Sequence, residues 1–221
     1  MSPPRLPSSA LRGLLAAQVE ARLSPTRRAL IRTQRLALLA ALVPMVGLVA
    51  FLGAGLKGRP LPLTLLVVVG WTAVAVVGTR ILMGSPSPLG ASRPRLLLLA
   101  VLAPLAELSV SGVGMLLWPD TWSGALGVHA HLTCLMIGLA MGLAPLAALL
   151  WLHRGSDPVR PAALGAGLGG TAGTWGGAGS MLLCPHHSPL HVLIGHAVPV
   201  VLFALMGALV GAHVVALRRA E

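Results

Sequence analysis

Leu132–Leu152 reads LTCLMIGLAMGLAPLAALLWL, twenty-one residues without a charge. As a helix rising about 1.5 Å per residue, it spans roughly 30 Å, the thickness of a bilayer's hydrocarbon core. Five further apolar runs have the same character: Leu36 to Leu56, Leu61 to Met83, Leu96 to Trp118, Pro161 to Leu183 and Pro189 to Leu217. Of the 221 residues, 56% are hydrophobic and only 10% charged. That composition excludes an ordinary soluble domain, and the runs leave no room for a second folded domain. The fold class expected is all-α, a polytopic bundle of six transmembrane helices over residues 36–217 with a short tail, 218–221.

A formal charge of +11 taken alone suggests nucleic acid, but the basic residues are sorted by loop. Fourteen lie on one side: Arg5, Arg12, Arg22, Arg27, Arg28, Arg32, Arg35, then Arg80, Arg93, Arg95, then Arg154, Arg160, and finally Arg218, Arg219. The other side has Lys57 and Arg59. By the positive-inside rule both termini are expected in the cytoplasm, with no direct nucleic-acid partner. The first run follows thirty-five residues with no small-residue cleavage site, so it reads as an anchor rather than a removable signal.

Within residues 1–35, Leu11, Leu14, Leu15 and Val19 recur at helical spacing and Leu23 continues the stripe. Ser24-Pro25 interrupts it, and Arg27 and Arg28 open the segment leading into the first span. An amphipathic helix of about fifteen residues is marginal alone in water, so its apolar face needs a partner. The bilayer surface and the groove of a soluble protein both suit it.

The spans have two internal peculiarities. Gly165, Gly169, Gly173 and Gly177 form a four-residue stripe that suits a helix at the centre of the bundle, or alternatively a dimer contact. Glu107 is the one acid inside a span. It is either a functional carboxyl or a neutral one hydrogen-bonded to a neighbouring helix.

Chemistry concentrates on the expected outer side. Cys184-Pro185-His186-His187-Ser188-Pro189-Leu190-His191 and then His196 place one thiol and four imidazoles in thirteen residues. His129, His131 and Cys134 lie at the start of the fourth span, so Cys134 and Cys184 can be neighbours. Outside the cytoplasm a thiol pair can oxidise, and Cys, His, Met and Trp are the side chains oxidants attack most readily. With imidazoles beside them, Cys134, Cys184 and His191 can instead take zinc, copper(I) or cadmium, although no C-x-x-C or H-E-x-x-H spacing supports a metal and none is required. Ser188-Pro189 suits the cap and first position of the sixth span. No catalytic constellation is visible, so an enzyme is not expected.

Four features together resemble the six-helix bacterial membrane anti-sigma factors of the NrsF-like type: spaced leucines ending in Arg22-Leu-Ser-Pro-Thr-Arg-Arg28, six spans with both ends inside, a cysteine opening span four, and the Cys-Pro-His stretch opening span six. The resemblance implies an inner-membrane protein that holds an extracytoplasmic-function sigma factor until a stress signal releases it. It matches Cys134 and Cys184 to cysteines implicated in perceiving heavy metals or oxidants, and the N-terminal segment to the sigma-contacting region. Length and composition are most similar to members that restrain carotenoid synthesis until light arrives, implying singlet oxygen or a second membrane protein as trigger. The abundance of histidine departs from the pattern and puts a purely thiol trigger in doubt. A transporter for a small solute or metal, motivated by Glu107, the outer histidines and the prolines Pro44, Pro104, Pro145 and Pro199, is the alternative.

Overall fold

The computed structural model describes residues 27–53, 59–83, 93–119, 126–154 and 160–215. The sequence-predicted amphipathic helix with Leu11, Leu14, Leu15, Val19 and Leu23 lies outside them, as does Lys57. Six helices follow in order: α1 (Arg27–Leu52), α2 (Leu61–Met83), α3 (Arg93–Leu117), α4 (Val128–Leu152), α5 (Pro161–Leu183) and α6 (Pro189–Val214). No strand occurs among the described residues. Five of the helices are long and apolar enough to cross a membrane. The exception, α5, is glycine-rich, and nearly every residue from Leu164 to Met181 is buried.

Burial explains the exception. Glycine offers little apolar surface to lipid but lets other backbones come close, so α5 suits the centre, and the other five helices all pack on it. Its most extensive partner is α6. A Cβ at Gly165 or Gly169 would overlap the carbonyl oxygens of Gly207 or Phe203, and one at Gly173 would lie 2.6 Å from the Val200 Cα. Gly177, expected on the same stripe, instead faces the Trp71 ring of α2. Four residues turn a helix by about 400°, so a four-residue stripe drifts around the axis and changes partner within three turns. The adjacent Gly176 meets α4 at Gly138 and Gly142.

The outward faces of α1 to α4 and α6 carry exposed aliphatic and aromatic side chains, such as Phe51, Val43, Leu116 and Leu209. A membrane helix shows this face to lipid. Inside, buried clusters form around Trp71 with Leu63, Val67 and Met181, and around Leu149, Leu168 and Phe203. Indole groups tie helices together: Trp71 Nε1 donates to Ser111 Oγ of α3 (3.2 Å) and Trp175 Nε1 to Thr79 Oγ1 of α2 (3.1 Å).

Helix α6 is interrupted. It runs Pro189–Val192, widens into a π turn at Leu193–Ala197, and resumes as Val198–Val214. Pro199 has no N–H to give the Gly195 carbonyl, and its ring crowds that carbonyl, so the preceding turn opens. At the start of the helix Ser188 holds the N-cap position with extended backbone and Pro189 the first helical one, but the Ser188 hydroxyl makes no capping bond.

Candidate functional site

The chain returns to one end of the bundle at Arg59, at the α4 start and at residues 184–188, and the two cysteines and several of the histidines singled out in the sequence meet there. Cys184 caps α5, and its N–H bonds the Ser180 carbonyl. Cys134 enters from the second turn of α4, and His191 and His196 from α6. The Cys134 and Cys184 sulfurs and one ring nitrogen from each of the two histidines lie within 4.8 Å of one another, all four residues buried. Both thiols are free.

The π turn and Gly195 bring these groups together. A Cβ at Gly195 would lie 3.1 Å from Cys134 Cβ and 3.5 Å from the His191 ring, so a bare backbone lets α6 approach the thiol. The extra residue in the turn re-aims His196 inward, where it is fully buried. π turns inside α-helices often mark functional sites for this reason.

Each ring is held from behind. Ser180 Oγ donates to the Gly177 carbonyl (3.0 Å) and lies 2.8 Å from His196 Nδ1. With the Ser180 proton on the Gly177 carbonyl, His196 Nδ1 would donate to the hydroxyl and its Nε2 would carry the lone pair. That Nε2 is buried without a well-formed hydrogen bond among the described residues. His191 Nε2 lies 3.1 Å from Cys184 Sγ, while its Nδ1 faces His131 Nδ1 at 3.2 Å. The His186 backbone N–H donates to Cys184 Sγ at 3.4 Å. A hydrogen bond from the Cys134 thiol holds the Cys184 thiol well below its ordinary range; burial opposes this, and His191 and His196 reinforce it.

Arg59 was counted in the sequence only as a loop cation, and the structure gives it a specific place. It is buried, with Nη1 donating to the carbonyls of Met181 (3.2 Å) and Cys184 (2.9 Å). The last turn of α5 has carbonyls without helical partners, and a guanidinium meets that need. Burial pulls the Arg59 guanidinium below its usual value, and Cys184 opposes the shift. His187 is also buried, its Nε2 donating to the Ser111 carbonyl (3.2 Å). Burial, then the nearby Arg59 charge, push its imidazole down to about 4. Arg59 bonds partners more than a hundred residues away, and its only local signal is its place beside Pro60 at a helix entrance.

The remaining sequence-predicted residues are placed less centrally. His131 is buried behind His191, His186 is half-buried with its ring 5.6 Å from that of His191, and His129 is exposed. Glu107 is fully buried on α3 beside Thr174 of α5. Thr174 turns its hydroxyl to the Gly170 carbonyl (3.0 Å) and also stands against the Glu107 carboxyl. Arg27 and Arg28 begin α1. Cavities of about 620 and 600 Å³ lie between α2 and α3 and between α3 and α6. Their walls are almost wholly aliphatic.

A helical bundle with a central glycine helix and a buried thiol–imidazole cluster at one end defines a membrane protein of the polytopic helical class. Residues 14–216 match the family described as NrsF, negative regulator of sigma F, and the chain belongs to that family. No curated protein and no solved structure matches it.

Proposed function

We propose that the protein is an inner-membrane anti-sigma factor that holds an extracytoplasmic-function sigma factor on its cytoplasmic side and releases it when a stress signal acts at the opposite end. The family match over residues 14–216 carries this reading. The charge distribution supports the sidedness: fourteen of sixteen cations fall on the side of the N-terminus, so Cys134, Cys184 and the clustered histidines face outward. Residues 8–35, with Leu11, Leu14, Leu15, Val19, Leu23, Arg27 and Arg28, and the short inner connections hold sigma away from core RNA polymerase. Oxidation at the outer cluster, including oxidation by singlet oxygen under light, repacks or destabilises the bundle. A coupling of about 3 kcal/mol between the two ends would change sigma occupancy more than a hundredfold. By the likeness to members that restrain carotenoid synthesis, those genes are the proposed target.

Affinity purification from membranes tests this. A small sigma factor should accompany the full-length chain and be lost from a chain lacking its first thirty residues, whose target genes should then be constitutively transcribed. Repression that survives the deletion would overturn the N-terminal assignment.

A further inference from the structure

We infer that Cys134, Cys184, His191 and His196 form a closed tetrahedral site for a divalent d¹⁰ cation, zinc at rest, that clamps α4, the end of α5 and α6 together. Clustering in the sequence points to only three of these residues as metal ligands, Cys134, Cys184 and His191, and His196 joins them through the π turn. The ligand set is two sulfurs and two imidazole nitrogens, the composition zinc favours. With Zn–S near 2.3 Å and Zn–N near 2.0–2.1 Å, tetrahedral donors sit about 3.3–3.8 Å apart. The four atoms lie within 4.8 Å of one another, and His191 Nε2 and Cys184 Sγ are already 3.1 Å apart. Ligation would open that close pair by a few tenths of an ångström and draw the widest pair in by about 1 Å.

The surroundings support a ligand more than a dry core. His196 Nε2 is buried without a well-formed hydrogen bond among the described residues, and its ring stands beside the Cys184 sulfur, an arrangement a bridging cation would complete. The Ser180 hydroxyl stands 2.8 Å behind its Nδ1, in the place of the group that orients a metal-bound imidazole through its other nitrogen. His131 stands in the same relation to His191. The His186 N–H on Cys184 Sγ supplies the kind of hydrogen bond a metal-bound thiolate accepts. Two thiolates balance the cation's charge, so the buried site is neutral overall. Four protein ligands with no open position make a structural or regulatory clamp, and copper(I) or cadmium would compete for its soft donors.

The test uses full-length protein in detergent under reducing conditions. Zinc by elemental analysis should be close to one per chain, and replacement by cobalt(II) should give the visible bands of a tetrahedral site with thiolate-to-cobalt charge transfer. His196→Gln should lose the tetrahedral bands. Ser180→Ala keeps all four ligands and should weaken zinc affinity about 10–100-fold in chelator competition, which covers the case in which the histidine variant does not fold. Absence of charge-transfer bands in wild-type protein whose two thiols titrate as free would overturn the site. Cobalt spectra and affinity unchanged in both variants would overturn the role of His196. The site shares residues with the proposed sensor, but metal content is read without sigma, so failure here and failure of the anti-sigma reading are separately visible.

Discussion

Gly169→Ala should damage this protein more than any comparable change on its surface. The added Cβ would fall inside van der Waals contact of the Phe203 carbonyl oxygen, 2.7 Å from the Phe203 carbonyl carbon and 3.1 Å from Gly207 Cα. Ordinary contact begins at 3.4 Å and the carbonyl oxygen is the nearest obstacle, so α5 and α6 must part locally by more than 1 Å. The obstacle is backbone, and no side chain can rotate away. A gap of 0.5–1 Å forfeits roughly a quarter to a half of each dispersion contact it opens. Overpacking of this kind costs about 1–3 kcal/mol, and the upper half of that range applies because the loss extends along the helix pair. Alanine's better helix propensity returns less than about 1 kcal/mol. Gly47→Ala on α1, where nothing lies within 4 Å of the new Cβ, is the matched control and should be neutral or slightly stabilising. Denaturant titration of both variants in detergent, followed by circular dichroism, measures the difference. Equal midpoints would refute the claim that the α5–α6 approach carries the packing.

Three further outcomes follow from the thiol end and from Glu107. Arg59→Gln removes the guanidinium that bonds the Met181 and Cys184 carbonyls, so maleimide should alkylate Cys184 several-fold faster than in the wild type, while an unchanged rate would mean that Arg59 does not hold the turn. The His187 pKa falls from 6.5 to about 4 on folding, so the unfolded chain binds a proton between those values and the folded chain does not. Stability at this site is therefore present above about pH 6.5 and is lost as pH falls to about 4. His187→Gln, which keeps an N–H for the Ser111 carbonyl, should flatten that part of the thermal-stability profile, and parallel profiles would refute the assignment. Glu107→Gln should leave sigma release intact and stability equal or higher, since the amide keeps the place beside Thr174 and has no charge to bury. Loss of release in that variant would make Glu107 functional and favour the reading in which an intramembrane acid has a job.

The fold class was legible in the sequence because crossing a bilayer needs about twenty apolar residues in a row, and that requirement is local. Helix α5 was legible for a second reason: its glycines fall four apart, and small residues at that spacing bring helices together. Its apolarity alone does not mark it as a spanning helix. The meeting of Cys134 with Cys184 was legible as a possibility from the alternation of the spans. What stayed hidden depends on partners far apart in sequence. Ser180 behind His196, Arg59 under the Cys184 turn and the Ser111 carbonyl over His187 are joined by packing, and none has a spacing signature. The π turn was foreshadowed only by Pro199, and a proline in a membrane helix is too common to announce it.

A signal at Cys184 has a short mechanical route to the far end of the bundle. Cys184 caps α5, and His191 and His196 belong to α6, so any change of bonding among them shifts these two helices relative to each other. Most helix pairs absorb such a shift by rotating side chains at the interface. Gly165 and Gly169 leave little to rotate, because backbone there packs on the backbone of Phe203, Gly207 and Gly211. From Ser180 to Gly165 is about 22 Å of helix at 1.5 Å per residue, most of the bilayer's thickness. A displacement of less than 1 Å at the cluster is thus resisted or transmitted whole. A packed interface of this kind has discrete arrangements rather than a continuous range. If that is how the ends communicate, prising the stripe apart should uncouple them: Gly169→Ala pushes α5 off the Phe203 backbone while leaving the cluster's four residues in place. The variant should still bind sigma and still undergo oxidation of Cys134 and Cys184, yet release sigma less on oxidation. Full release with the stripe loosened would show that the signal travels by another path, or that oxidation acts by unfolding the chain.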